Sequence, residues 1–95
     1  MLLVQEPEAF AQDPDAYLDY SIDWSNWLPE GDTISTSSWT ADAGITTASA
    51  GHSTTATTVW VSGGTLGANY RVKNTIVTAA GRINVRSVLI MVTRQ

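Results

Sequence analysis

The stretch Tyr70-Arg71-Val72-Lys73-Asn74-Thr75-Ile76-Val77-Thr78-Ala79-Ala80-Gly81-Arg82-Ile83-Asn84-Val85-Arg86-Ser87-Val88-Leu89-Ile90-Met91-Val92-Thr93 decides the fold class. Tyr70, Val72, Asn74 and Ile76 fall on one face of an extended chain and Arg71, Lys73, Thr75 and Val77 on the other, the period of two that marks a strand. Ala79-Ala80-Gly81-Arg82 is short, contains glycine and reads as a hairpin turn. A second strand follows over residues 83–93, with Val88, Ile90 and Val92 on one face and Leu89 and Met91 on the other. A strand with one wet face alternates apolar and polar residues, yet this one is apolar on both faces near its end. Either an N-terminal arm of the same chain covers Leu89 and Met91, or a neighbouring subunit does. Bare exposure of such a strand would invite aggregation.

Upstream of this hairpin the same alternation recurs in shorter pieces. Tyr20, Ile22 and Trp24 alternate with Asp19, Ser21 and Asp23, giving a first strand over residues 19–24. Ser25-Asn26-Trp27-Leu28-Pro29-Glu30-Gly31-Asp32 is a loop closed by a turn signal. Residues 33–41 form a second strand, in which Ile34 and Trp39 are five apart and share a face only if a bulge intervenes. Residues 45–48 form a third strand, Ala50-Gly51-His52 a turn, and residues 53–62 a fourth strand. The sum is six to seven short strands with frequent turns, the pattern of an antiparallel β-sandwich over residues 19–95. Residues 1–18 read as an extended N-terminal arm containing Pro7 and Pro14. At most one helical turn is expected there, with Asp13 as its cap and Pro14 at its first position.

Composition narrows the function. A chain of 95 residues makes one domain. No cysteine is present, so no disulfide framework and no thiolate metal site is expected. No apolar run reaches the ~20 residues that span a bilayer, and Met1-Leu2-Leu3-Val4 is too short and too quickly followed by acid for a signal peptide. No targeting segment and no membrane partner are expected. All nine acidic residues lie between Glu6 and Asp42, and all five basic ones between Arg71 and Arg94. Two readings compete. In one, the first strand pairs with the last, bringing Asp19 or Asp23 near Arg82 or Arg86. In the other, the acidic front of one subunit meets the basic back of the next. A pI near 4.5 suits no nucleic-acid partner.

Catalytic chemistry finds no footing. The lone histidine, His52, sits in a Gly-Ser-Thr turn, and Ser25, Ser53 and Ser62 lack a nucleophile context. Asp13, Asp15, Asp19 and Asp23 lack the glycine and terminal glutamate of a calcium loop. Gly63-Gly64 opens no helix that would cradle phosphate. The expectation is no catalytic, metal or cofactor-binding residue and no small-molecule substrate. Of the four tryptophans, Trp24, Trp39 and Trp60 are expected in the core and Trp27 in a contact loop. Tyr70, after a glycine-rich turn, is placed to bond its hydroxyl back to that turn.

Four segments taken in order resemble a family of small tailed-bacteriophage virion structural proteins, the phage fiber-tail adaptor family. They are Asp13-Pro14-Asp15-Ala16-Tyr17-Leu18-Asp19-Tyr20-Ser21-Ile22-Asp23-Trp24-Ser25-Asn26-Trp27-Leu28, Asp32-Thr33-Ile34-Ser35 with Ser38-Trp39-Thr40, Thr58-Val59-Trp60-Val61-Ser62-Gly63-Gly64-Thr65, and residues 70–82. The likeness covers residues 12–94. It implies an all-β, immunoglobulin-like sandwich and a non-enzymatic part of the virion, assembled in the bacterial host cytoplasm. Leu89 and Met91 depart from the more polar residues of the family. On this basis the expected partners are other virion proteins and copies of the chain itself, met through Leu2, Leu3, Val4, Phe10, Tyr17, Leu18, Trp27, Leu89 and Met91. A tail or fiber adaptor is expected; a capsid cement protein, or a module that binds host glycan or receptor through Trp27 and the Ser/Thr loops, are the alternatives.

Overall fold

A computed structural model describes residues 2–4 and 8–94, with side chains from Ala9 onward. The described residues contain no helix. Seven strands lie in two packed sheets: β2 (Glu8–Gln12), β3 (Tyr17–Asp23), β4 (Ile34–Ala41), β5 (Ile45–His52), β6 (Ala56–Gly63), β7 (Asn69–Thr78) and β8 (Ile83–Val92). A three-residue strand, β1 (Leu2–Val4), extends one edge. One sheet runs β1-β3-β6-β5 and the other β2-β8-β7-β4.

The hairpin that opens the sequence argument is the backbone of the second sheet. β7 and β8 pair antiparallel from Asn69↔Met91 to Val77↔Ile83. Their inward residues Tyr70, Val72, Ile76, Val88, Ile90 and Val92 are buried, and they meet Tyr20, Ile22, Trp24, Val59 and Val61 from the facing sheet. The bulge expected between Ile34 and Trp39 is present, as a register shift between Ile34 and Thr36. It turns both side chains toward the core, Ile34 buried and Trp39 half-buried against it.

The structure corrects several expectations. The strand read as first, β3, pairs with β6 and not with the last strand. The last strand instead takes β2, in parallel, with Ala9 opposite Leu89 and Ala11 opposite Met91. The pairing is therefore not wholly antiparallel, because β1 also runs parallel to β3. Residues 1–18, read as an arm, contribute β1, β2 and the start of β3. Pro7 and Glu6 lie outside the described residues. The single helical turn at Asp13 is a β-turn: the Asp13 carboxylate accepts the Asp15 amide at 2.8 Å and its carbonyl accepts the Ala16 amide at 3.0 Å. Asp and Pro favour such a turn as readily as a helix start. The third strand does not stop at Ala48. It passes through a bulge, with Ser49 at φ 51°, and continues to His52.

Glycine is required where Tyr70 packs. A Cβ on Gly64 would lie 2.7 Å from Val92 Cγ2 and 3.1 Å from the Tyr70 ring, and one on Gly44 would lie 3.0 Å from the other edge of that ring. Both glycines also adopt positive φ, where a side chain is strained. The ring is held flat between them, and its hydroxyl accepts the Thr65 amide at 2.8 Å, the bond back to the preceding turn that the sequence suggests. The Thr65 hydroxyl, and then that amide bond, hold the Tyr70 hydroxyl below its usual pKa.

Candidate interaction surface

Two buried polar nodes set which surfaces are rigid. In the first, Asn74 on β7 donates to Ser37 Oγ at 2.9 Å and Ser38 O at 3.0 Å. Its Oδ1 accepts from Thr57 Oγ1 at 2.7 Å and Trp24 Nε1 at 3.2 Å. This node joins β4 and β7 of one sheet to β6 and the residue after β3 in the other. Arg86 lies over the Trp24 ring at 4.4 Å, a cation–π contact. In the second node, Gln12 on β2 donates to Val61 O at 2.8 Å and accepts from the Tyr20 hydroxyl at 2.6 Å. Burial pushes the Tyr20 hydroxyl up to about 12. Gln12 thus fastens the N-terminal strand of one sheet to two strands of the other.

The charge asymmetry of the sequence is largely resolved inside the chain. Arg82 pairs with Asp32 at 2.9 Å. Arg94 reaches Asp13 at 3.5 Å and Asp15 at 3.2 Å. Arg86 donates to the Asp23 carbonyl at 3.3 Å. Hydrogen bonds from the Ser25 side chain and amide, and to a lesser degree the charge of Arg86, hold the Asp23 carboxyl below its usual range. Asp42 accepts the Arg71 amide at 2.8 Å. Asp32 is the most elaborate of these sites. Desolvation pushes its carboxyl up, but bonds from the Thr78 hydroxyl, the Ala80 amide, Arg82 and the Thr33 amide together hold it below the ordinary value. It ties the loop before β4 to the β7–β8 turn.

The residues expected to meet partners fall into three groups. For Leu2, Leu3 and Val4 the structure describes the backbone alone, paired with β3. Phe10 and Trp27 are packed against the core, Phe10 with its ring 5.3 Å from Tyr20 and Trp27 edge-on to Trp24 at 5.7 Å. Tyr17 and Leu18 are exposed at the start of β3, and Leu89 and Met91 are half-buried on the outer face of β8. The structure thus separates a set that the sequence joins. Trp60 is the residue that sequence reasoning misplaced. It is not in the core but on the outer face of β6, half-buried, stacked on Tyr17 at 4.8 Å. Its opposite parity to Val59 and Val61 was the available signal. Ile83 and Val85 were not singled out, and they are exposed on the same face as Leu89 and Met91.

Among the described residues, no three His, Cys, Asp or Glu side chains converge as a metal site would need. A depression lined by Pro29, Asp32, Ala80 and Arg82 and another lined by Thr40, Asp42, Arg71 and Lys73 lie open to solvent.

Residues 12–91 match the sequence model of the podophage GP4 fiber-tail adaptor protein gp77 family. The chain belongs to this fiber-tail adaptor family. No curated protein matches the chain as a relative. The matched span runs from Gln12, the residue that fastens β2, almost to the end of β8. The adaptor family is structural, so the chain is a tail component of the virion that joins fiber and tail proteins and is not an enzyme.

Proposed function

We propose that this adaptor works as a stiff two-sheet spacer whose N-terminal segment, residues 1–18, makes the first contact with neighbouring virion proteins. The observation that carries the reading is the unequal attachment of that segment. β1 pairs over three residues and β2 over five, both at sheet edges. An edge strand presents unpaired amide and carbonyl groups that another chain can take up. In this reading Phe10 seats the segment against the core, and Leu2, Leu3, Val4, Tyr17, Leu18, Trp27, Leu89 and Met91 are the residues offered to the partner. The partners are fiber and tail proteins and further copies of the chain.

The sandwich itself, residues 19–95 together with the β2 edge strand, is proposed to be immunoglobulin-like. Two features support this: an early strand running parallel to the last strand, and the Tyr70 hydroxyl bonded to the turn before it, which has the form of a tyrosine corner.

The test is a chain lacking residues 1–7, which keeps Gln12 and its buried bonds. The expected result is an unchanged circular dichroism spectrum and loss of fibers from particles assembled with it. Particles with normal fiber content would overturn the role given to the segment.

A further inference from the structure

Three strand charges without an ion pair lie on opposite outer faces, an acid on one and two bases on the other. Among strand residues with described side chains, Asp19, Lys73 and the guanidinium of Arg71 have no ion-pair partner. Asp19 stands directly across from Trp60 on the outer face of β3 and β6. Beside it Tyr17 stacks on Trp60 and is 50% exposed. On the outer face of the other sheet, Arg71 stands opposite Leu89 and Lys73 opposite Ser87. That face also carries Ile83, 67% exposed, and Val85, 43% exposed. One face is therefore aromatic with an acid outside any ion pair, and the other aliphatic with two bases beside Asp42, whose carboxylate accepts the Arg71 amide and leaves the face net basic.

We propose that copies of this chain associate head to tail, the face bearing Tyr17, Asp19 and Trp60 of one copy seating on the face bearing Arg71, Lys73 and Val85 of the next. The chemistry is complementary at each level. Asp19 meets the two bases, an arrangement that selects orientation and register. The guanidinium of Arg71 finds aromatic rings to lie against. The exposed aliphatic stripe of β8 is covered, as apolar patches on strands require. Because the two surfaces differ, the contact is heterologous, and each added copy leaves one face of each kind free.

The contact is small. Four strands of three to ten residues, spaced about 4.8 Å apart at roughly 3.4 Å per residue, present on the order of 400–500 Å². A standard interface buries about 800 Å² per partner. The association is accordingly weak for a free pair and becomes effective where many copies are held together, as in a particle. In placing the copies there the inference rests on the adaptor role, although the contact itself does not.

The experiment is sedimentation velocity on the full chain, over a concentration series reaching the millimolar range and at low and high salt. The expected result is a mass that rises past the dimer with concentration and falls back in high salt, where the Debye length shrinks to about 3 Å. Asp19→Lys alone and Lys73→Glu alone each place like charges across the contact and are expected to remain monomeric. Mixed together they restore opposite charges at every junction, and association is expected to return. Circular dichroism identical to wild type establishes that each variant is folded. A wild-type monomer throughout the series, single variants that associate as wild type does, or a mixture that stays monomeric would each overturn the proposal. A monomeric chain that still enters particles would overturn this contact and leave the adaptor role standing. A chain that neither associates nor enters particles would count against both.

Discussion

The last strand has two neighbours, and they are held differently. On one side β7 pairs with β8 antiparallel over nine residue pairs, and every inward side chain of β7 from Tyr70 to Thr78 is buried. On the other side β2 pairs in parallel over five, with Phe10 opposite Ile90 and Gln12 opposite Val92. The β7 side is held by apolar area plus the Asn74 node. The β2 side is held by one aromatic ring and the Gln12 node. Burial of apolar surface scales with area, at about 25 cal/mol per Å², so the two sides differ in stability as well as in pairing. The lesson is that one sheet joins a permanent core to an edge strand fastened at a point.

Removing the centre should abolish this distinction by unfolding both sides. Trp24→Ala deletes the largest fully buried side chain and the donor to Asn74, a loss of about 3–5 kcal/mol by the usual range for such truncations. A domain of this size has little more than that to lose, so the expected outcome is a chain without a cooperative melting transition. A cooperative transition within a few degrees of wild type would mean the core is not organised around Trp24.

Asn74→Ala leaves the Thr57 hydroxyl and the Ser38 carbonyl without their shared partner, while the Trp24 indole keeps its bond to Thr57 Oγ1 at 3.2 Å. Each buried group left unsatisfied costs about 1–3 kcal/mol. The expected outcome in a denaturant titration is a midpoint well below wild type with an unchanged slope.

Gln12→Ala sharpens the comparison instead of erasing it. It removes the bonds to Val61 and Tyr20 while β7 and β8 keep theirs. Loss of amide protection is expected in β2, with protection in β7 and β8 largely retained. Equal loss across all three would mean that β2 is part of one cooperative unit.

The smallest effect is expected from Asp32→Asn, at a site of exposed salt bridging and turn bonding. The Asp32 pKa is held below its ordinary 3.8 in the folded state. Its contribution is therefore present above about pH 4 and lost as the pH falls through the lowered folded value. Melting curves of wild type and variant should differ at neutral pH and converge in acid.

Much of this was legible in the sequence, and the reasons are local. The alternation of Tyr70, Val72, Asn74 and Ile76, the glycine-containing turn after Thr78, and the five-residue spacing of Ile34 and Trp39 each fix backbone geometry without reference to the rest of the chain. What was not legible depends on long-range pairing. Nothing in Glu8-Ala9-Phe10-Ala11-Gln12 marks it as the parallel neighbour of β8, because that pairing joins segments some eighty positions apart. Trp60 was misplaced because a large aromatic residue outweighed its parity with Thr58. The contact surface was only half visible. Leu89 and Met91 stand out by hydropathy, whereas Asp19, Arg71 and Lys73 emerge only once Arg82 and Arg94 are seen to be paired within the fold.

The central claim, a permanent core with a point-fastened edge strand, is tested most directly by native-state amide hydrogen exchange on the full chain. The account predicts that the amides of Phe10, Ala11 and Gln12 exchange at least a hundredfold faster than those in the centre of β7 and β8. Protection in β2 equal to that of β8 would contradict it.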